Sequence, residues 1–144
     1  MGKKRIITKS GGDMSGETKE GSLSRVPKRR LENGIVHVES TYNNTKLMLT
    51  DMDGNALVWS SSGSLGFKGA KKGTPFAASK VSEIVAEKAK TLGIKEVQVV
   101  VKGVGSGRES SIRTLIGKGI EISAIEDKTP IPHNGPRAKK PRRV

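Results

Sequence analysis

Apolar and polar residues alternate in three short segments that begin at Gly34, and such alternation predicts β-strands. The segments read GIVHVEST, KLMLTD and NALVWSS. The residues TYNNT join the first two segments, and asparagines tolerate the conformations of a turn. Asp53-Gly54 joins the second and third and is typical of a two-residue type I′ hairpin turn, which needs positive φ. We therefore expect three consecutive antiparallel strands.

A long helix is predicted next, because apolar residues recur at helical spacing. Thr74 is a typical N-cap residue, Pro75 suits the first helical position, and Gly93 suits the position after the helix ends. The predicted apolar face consists of Ala77, Val81, Ile84, Val85, Ala89 and Leu92.

Two more strands and a shorter helix complete the domain. A strand is expected from about residue 94 to 101, apolar enough to be central, and GIEISAIED is the last strand. Between them a helix is predicted over residues 109–117, with Ile112, Leu115 and Ile116 facing inward. The order βββαβαβ predicts an α/β fold, a mixed five-stranded sheet with helices packed on it. Right-handed crossovers leave only the second strand antiparallel to the others.

This topology brings four connecting segments to one end of the sheet. They are the TYNNT turn, residues 60–73, residues 102–108 and the exit to the C-terminal segment. Open α/β sheets bind ligands at the carboxyl ends of their strands. We therefore expect a binding site at this end, and little binding at the opposite end, where Asp53-Gly54 lies.

Two of these segments combine glycine with basic residues. Residues 60–73 read SSSGSLGFKGAKKG, which predicts a loop, and residues 102–108 read KGVGSGR. Glycines let a backbone approach an anion closely, and a helix N-terminus offers unpaired N–H groups. Either loop alone could be a tight turn with no ligand. Two such loops at one end fit a chain of phosphates better than one small ligand.

Neither loop matches a nucleotide-cofactor motif. A dinucleotide fingerprint would need glycine where Arg108 stands, and the GK[ST] of a Walker A motif occurs nowhere in the chain. We expect no cofactor.

A catalytic or metal site is not predicted either. The carboxylates that a metal nuclease would need are predicted to be separated, with Asp51 and Asp127 at different ends of the sheet. His37 and His133 have no paired spacing. Trp59 and Phe76 are expected in the core, so recognition of a nucleic-acid backbone is favoured over stacking on bases. We expect no enzymatic activity.

The net charge of +13 is concentrated near the two ends of the chain. Residues 1–33 contain nine Lys/Arg and four acids, and residues 128–144 contain six Lys/Arg and no acid. We therefore divide the chain into a basic N-terminal arm (1–33), a nearly balanced globular domain (34–127) and a basic, extended C-terminal tail (128–144). Cationic segments of this kind usually bind a polyanion, and RNA or DNA is the natural partner. A merely solubilising tail is the alternative.

Cysteine is absent, which excludes disulfides and thiolate metal sites and favours a reducing cytoplasm. No apolar run approaches the roughly 20 residues of a membrane span, so no membrane partner is expected.

Five motifs resemble the small-subunit ribosomal protein eleven family. They are STYNNT, DGNAL-W, GFKGAKKGTPFAA, VKGVGSGRESSIR and TPIPHNGPR, and together they cover about residues 33–144. The PHNGPR ending resembles the bacterial form. The family usually reads GPGPGRE, whereas Val104 and Ser106 replace its two prolines here, which leaves this loop less stiffened.

The resemblance implies a ribonuclease-H-like αβ fold without catalysis, in a structural constituent of the small ribosomal subunit. Such a protein binds and bridges rRNA helices of the platform, beside the mRNA exit and the Shine–Dalgarno cleft. The implied partners are 16S-type rRNA and small-subunit proteins seven and eighteen, with no small-molecule substrate. A free-standing nucleic-acid-binding regulator is the alternative function. Carried over by position, the rRNA-binding candidates are Asn43, Asn44, Lys68, Lys71, Lys72, Lys102, Gly103, Gly105, Gly107, Arg108, His133, Asn134, Arg137, Lys139, Lys140, Arg142 and Arg143.

Overall fold

Strands form where apolar side chains alternate, and the computed structural model, which describes residues 31–140, contains five of them. In the first strand Val36 and Val38 are buried while Ile35 and His37 are partly exposed, as a half-buried strand requires. The candidates Arg142 and Arg143, and the arm up to residue 30, lie outside the described residues. The strands are β1 (Asn33–Ser40), β2 (Thr45–Thr50), β3 (Ala56–Ser61), β4 (Glu96–Lys102) and β5 (Glu121–Asp127).

The five strands form one mixed sheet in the order β3-β2-β1-β4-β5. Strand β2 is antiparallel to β1 and β3, whereas β1 is parallel to β4 and β4 is parallel to β5. The predicted βββαβαβ topology with only β2 reversed is therefore confirmed, and it is the ribonuclease-H-like arrangement that the resemblance implies.

Two helices cover one face of this sheet and create the core. Helix α1 (Pro75–Leu92) packs on β2 and β3, and helix α2 (Gly107–Gly117) packs on α1 and β1. Val81 and Val85 of α1 are fully buried in a cluster with the inward side chains of β1, β2 and β4. The opposite face of the sheet carries Trp59, Met48 and His37, which are neighbours across β3, β2 and β1.

The ends of α1 confirm the predicted signals. The Thr74 hydroxyl accepts a hydrogen bond from the Ala77 amide, Pro75 is the first helical residue, and Gly93 ends the helix in the left-handed conformation at φ 88°. Helix α2 begins at Gly107, two residues before the predicted start. A 3₁₀ helix, Gly69–Gly73, lies in the segment that was predicted to be a simple loop.

The predicted two-residue type I′ turn at Asp53-Gly54 is wrong. Of the two residues only Gly54 has positive φ (91°), whereas a type I′ turn needs it at both. The hairpin instead closes through Asp51, whose carboxylate accepts from the Asn55 amide and from its side chain, each at 2.8 Å. These hydrogen bonds lower the pKa of Asp51. They favour a longer loop, with a bulge between Leu49 and Thr50.

Three side chains predicted to face inward are exposed. Trp59 is 66% exposed, because its neighbours Val58 and Ser60 occupy the helix-covered face and alternation turns Trp59 to the other face. Phe76 is 64% exposed and lies at the start of α1, edge-to-face with Phe67 and under the Lys80 ammonium. Ile116 is 56% exposed, since Leu115 takes the buried position near the end of α2. No helix among the described residues is long and apolar enough to cross a membrane.

Candidate nucleic-acid interface

Four connecting segments meet at the carboxyl end of the sheet, where β1, β3, β4 and β5 end and β2 begins. They are the β1–β2 turn (residues 41–44), the lysine loop (residues 60–73), the glycine loop (residues 102–108) and the root of the tail. The Gly105 amide donates to the Ser40 carbonyl at 2.9 Å, and the Ser106 hydroxyl donates to the Gly73 carbonyl at 2.8 Å. The segments are therefore hydrogen-bonded into one continuous surface, as the topology predicted.

Close backbone packing explains the glycines of the glycine loop. Gly103 has φ 96°, and a Cβ atom there would overlap the Ser40 carbonyl oxygen. A Cβ on Gly105 would overlap the Thr41 carbonyl oxygen, and one on Gly107 would lie 2.8 Å from the Ala78 methyl. The Gly103 and Gly105 amides donate to Thr129 and to β1. These two amides therefore serve the fold and do not point outward to an anion.

Arg108 links the glycine loop to the last strand and to the tail. Its guanidinium donates to the Asp127 carboxylate at 2.5 Å, to the Gly103 carbonyl at 2.5 Å and to the Thr129 hydroxyl at 3.5 Å. The Arg108 guanidinium, followed by the Thr129 hydroxyl and amide, holds the pKa of the Asp127 carboxyl well below its usual value. Arg108 thus orients the surface from within, with about a third of its side chain exposed.

The lysines of the two loops are more accessible than Arg108 to a partner outside the protein. Lys68, Lys71 and Lys102 are exposed, whereas Lys72 is half-buried. The Lys72 side chain packs beside Gly63, where its Cδ atom would lie 3.8 Å from an added Cβ. Within residues 31–140, no carboxylate lies within 4.0 Å of any of these four ammonium groups, whereas other lysines such as Lys80 are paired. Four cations without a described counter-ion therefore border one end of the molecule.

The pKa of His37 is lowered, chiefly by burial and also by nearby positive charge. Burial is the largest cause of the lowered pKa, and the charges of Lys102 and Lys128 lower the pKa further. Its ring lies 3.3 Å from the Thr50 hydroxyl on the sheet face opposite the helices. The neutral form of His37 is therefore favoured beside the basic end of the sheet.

The β1–β2 turn is held rigidly, and its two asparagines differ in exposure. The Thr41 amide donates to the Asn44 carbonyl at 2.9 Å, and the Asn44 amide donates to the Thr41 hydroxyl at 3.1 Å. Asn43 is exposed at the tip, whereas Asn44 is half-buried. Within the described residues, the side-chain oxygens of Asn44, Ser40 and Thr45 are buried without a hydrogen-bond partner. Asn43 is therefore the better placed of the two for a contact outside the protein.

The tail begins as an extension of the sheet. The Lys128 amide donates to the Val101 carbonyl at 2.9 Å, and the Thr129 amide donates to the Asp127 carboxylate at 2.9 Å. Residues 130–140 are exposed, and within the described part of the chain they make no hydrogen bond to the domain. The candidates in this exposed segment are His133, Asn134, Arg137, Lys139 and Lys140.

The carboxylates considered for a nuclease do not converge. Asp51 follows β2 and Asp127 ends β5, so the antiparallel orientation of β2 places them at opposite ends of the sheet. Among residues 31–140 no group of three or more His, Asp or Glu side chains could hold a metal ion.

Comparison with known families identifies the chain. A family model described as Ribosomal protein S11 matches residues 34–143, which includes the globular domain and nearly all of the tail. The chain belongs to the ribosomal protein S11 family. Membership makes it an RNA-binding protein of the small ribosomal subunit that acts in translation, with a structural rather than an enzymatic role. Ribosomal protein S11 binds small-subunit rRNA and other ribosomal proteins.

Two features of the S11 site had no clear sequence signal. Tyr42 is 77% exposed at the tip of the β1–β2 turn, although residue type alone does not separate an exposed tyrosine from a buried one. The Thr129 hydroxyl accepts a hydrogen bond from the Gly103 amide and contacts Arg108, although Thr129 is 26 residues from Gly103 in the chain. Only the paired ends of β4 and β5 bring these groups together.

Gly105→Ala is expected to lower the free energy of unfolding by about 1–3 kcal/mol, the usual cost of overpacking. The new methyl would overlap the Thr41 carbonyl and lie 2.5 Å from the Ser40 hydroxyl. Gly117→Ala is the matched control, because an added Cβ there meets nothing within 4 Å and its φ is not positive. Urea unfolding of both variants measures the difference, and equal stabilities would contradict the packing described above.

Asp127→Asn is expected to lower the melting temperature at pH 7 and to lose that effect in acid. The pKa of Asp127 is depressed in the folded protein, so its stabilisation is complete above the ordinary value of 3.8 and is lost as the pH falls through the lower folded value. The difference in melting temperature from wild type should therefore shrink below about pH 4.

Glu109→Gln is the control for this experiment, because it removes one carboxylate from an exposed pair with Arg113. A difference between wild type and Asp127→Asn that stays constant from pH 7 to pH 2 would show that ionisation of Asp127 does not stabilise the fold.

Proposed function

We propose that the carboxyl end of the sheet and the basic tail form one rRNA-binding surface, which bridges rRNA helices of the small-subunit platform. The observation that carries the proposal is the group of four lysines, Lys68, Lys71, Lys72 and Lys102, that border one rigid end and have no carboxylate within 4.0 Å among the described residues. A surface that holds several cations without counter-ions attracts phosphates, and each contact releases condensed counterions from the RNA.

The candidate residues divide into two kinds of role. Gly103, Gly105, Gly107, Arg108 and Asn44 shape the surface, because their contacts lie inside the protein. Lys68, Lys71, Lys102 and Asn43 contact the phosphodiester backbone, since they are exposed. The half-buried Lys72 adds its charge to the same surface. Arg108 adds to the positive potential, although Asp127 already neutralises much of its charge.

The tail extends the binding surface away from the domain. Its root is fixed by Lys128 and Thr129, and residues 130–140 are exposed. Pro130, Pro132, Pro136 and Pro141 favour an extended chain, so less conformational entropy is lost when the tail binds. The five basic residues from 137 to 144 would contact an rRNA helix other than the one at the lysines, which makes the protein a bridge.

The resemblance to bacterial members supports the finer placement in the subunit. We propose contacts with small-subunit proteins seven and eighteen, and a position beside the mRNA exit and the Shine–Dalgarno cleft, in the cytoplasmic ribosome. The five motifs that resemble the family imply this placement, and the PHNGPR ending resembles the bacterial form.

Lys68→Gln/Lys71→Gln/Lys102→Gln is expected to weaken binding to small-subunit rRNA and to reduce the slope of log affinity against log salt by about 2–3. The variant Lys88→Gln/Lys90→Gln/Lys95→Gln has the same net charge but loses cations toward the opposite end of the molecule. Filter binding at several salt concentrations measures both slopes. The same slope for both triple variants would mean that only total charge matters and would contradict a binding surface at the carboxyl end.

Deletion of residues 137–144 removes five basic residues and is expected to reduce the salt slope by about 4 without changing the melting temperature. An eight-residue Gly/Ser segment in their place is the control for length and should show the same loss. Sedimentation with small subunits at moderate salt separates a ribosomal protein from a free-standing regulator. An unchanged slope after the deletion would remove the tail from the binding surface.

A further inference from the structure

Tyr42 is an aromatic residue of the β1–β2 turn, at the basic end of the described domain. Its side chain is 77% exposed at the tip of the β1–β2 turn, beside the exposed Asn43. The other described aromatic rings are placed differently. Phe67 and Phe76 pack edge-to-face with centroids 6.1 Å apart, and Trp59 lies in β3 beside Met48 on the open face of the sheet. Within residues 31–140 no aromatic ring or ammonium group packs on the Tyr42 ring.

Both basic loops hold the backbone around Tyr42. A Cβ on Gly73, at the end of the 3₁₀ helix that carries Lys71, would overlap the Tyr42 carbonyl oxygen. On the other side a Cβ on Gly105 would overlap the Thr41 carbonyl oxygen. The Thr41–Asn44 hydrogen bonds close the turn between these two contacts. The turn is therefore packed between the two loops, and its exposed ring lies between two sources of positive charge.

We propose that Tyr42 is a stacking site for an unpaired nucleobase of the RNA that the surrounding lysines hold by its phosphates. This inference rests on the proposed function, and it adds a base contact to a surface that otherwise recognises the backbone. An aromatic ring on a rigid turn loses little conformational entropy on stacking, and any base offers a π-face. The ligand class is a base in a loop or bulge, because a base within a duplex is already stacked.

Tyr42→Leu is expected to weaken binding to small-subunit rRNA by about 5- to 100-fold, the range for loss of one base–aromatic stack. Tyr42→Phe keeps the ring and should bind within about twofold of wild type. The salt slope should be unchanged in both variants, because the ring contributes no charge. This behaviour separates Tyr42 from the lysines, whose substitution reduces the slope.

Trp59→Leu is the matched control, since Trp59 is also largely exposed (66%) but lies on the open sheet face. Its affinity should equal that of wild type. Ultraviolet crosslinking of the wild-type protein to the rRNA locates the nucleotide at Tyr42. An abasic substitution at that nucleotide should weaken the wild-type protein and cause no further loss in Tyr42→Leu.

Several outcomes would overturn the stacking site. One is an unchanged affinity in Tyr42→Leu. Another is an equal loss of affinity in Tyr42→Phe, which would indicate a contact through the hydroxyl. The third is a reduced salt slope in Tyr42→Leu. Normal binding of Tyr42→Leu to free rRNA with poor incorporation into small subunits would assign the ring to a protein neighbour instead. If the lysine variants weaken binding and Tyr42→Leu does not, only the stacking inference fails. If wild-type protein does not bind the rRNA, the proposed function itself fails.

Discussion

The structure depends on the close approach of two backbone segments at the carboxyl end of the sheet. The glycine loop packs on the end of β1 so closely that side chains at Gly103 and Gly105 would overlap the carbonyl oxygens of Ser40 and Thr41. This contact sets the direction in which the chain leaves β4 and therefore where α2 begins. It also fixes the β1–β2 turn from one side while Gly73 fixes it from the other. These two contacts place the turn between the glycine loop, which begins with Lys102, and the 3₁₀ helix that carries Lys71.

The charges at this end form an inner and an outer layer with different physical roles. In the inner layer Arg108 is neutralised by Asp127 and bonded to Gly103, so its charge stabilises the arrangement of loops. In the outer layer Lys68, Lys71 and Lys102 extend into solvent, where an exposed charge costs little without a partner. A polyanion at this surface would therefore meet cations that need no protein contact to be broken before they bind. This separation allows a strongly basic surface on a domain whose own charges nearly balance.

Local pattern predicted most of the fold, and the errors arose where residue type or a two-residue turn signal was interpreted without the neighbouring residues. Apolar patterns, together with the cap signals of α1, located the five described strands and both α-helices, because those signals act within a few residues. Trp59 was misassigned because its residue type favours the core, whereas the alternation of β3 turns it away from the helices. The hairpin was misassigned because the Asp51 carboxylate, outside the two turn residues, decides the loop. At the candidate site the sequence indicated which loops converge, but it did not indicate that Arg108 would be engaged by Asp127 or that the glycine amides would point inward.

The departure of the glycine loop from the usual family pattern has a structural compensation. Where the family usually has proline, Ser106 donates its hydroxyl to the Gly73 carbonyl at 2.8 Å. A proline restricts its own φ and so stiffens a loop from within, but it has no hydroxyl to reach a neighbouring segment. The serine instead ties the glycine loop to the lysine loop, 33 residues away in sequence. In the usual pattern the proline stiffens the loop locally, whereas here a hydrogen bond between the two basic loops takes that role. The same hydrogen bond joins the two loops whose lysines would contact the RNA.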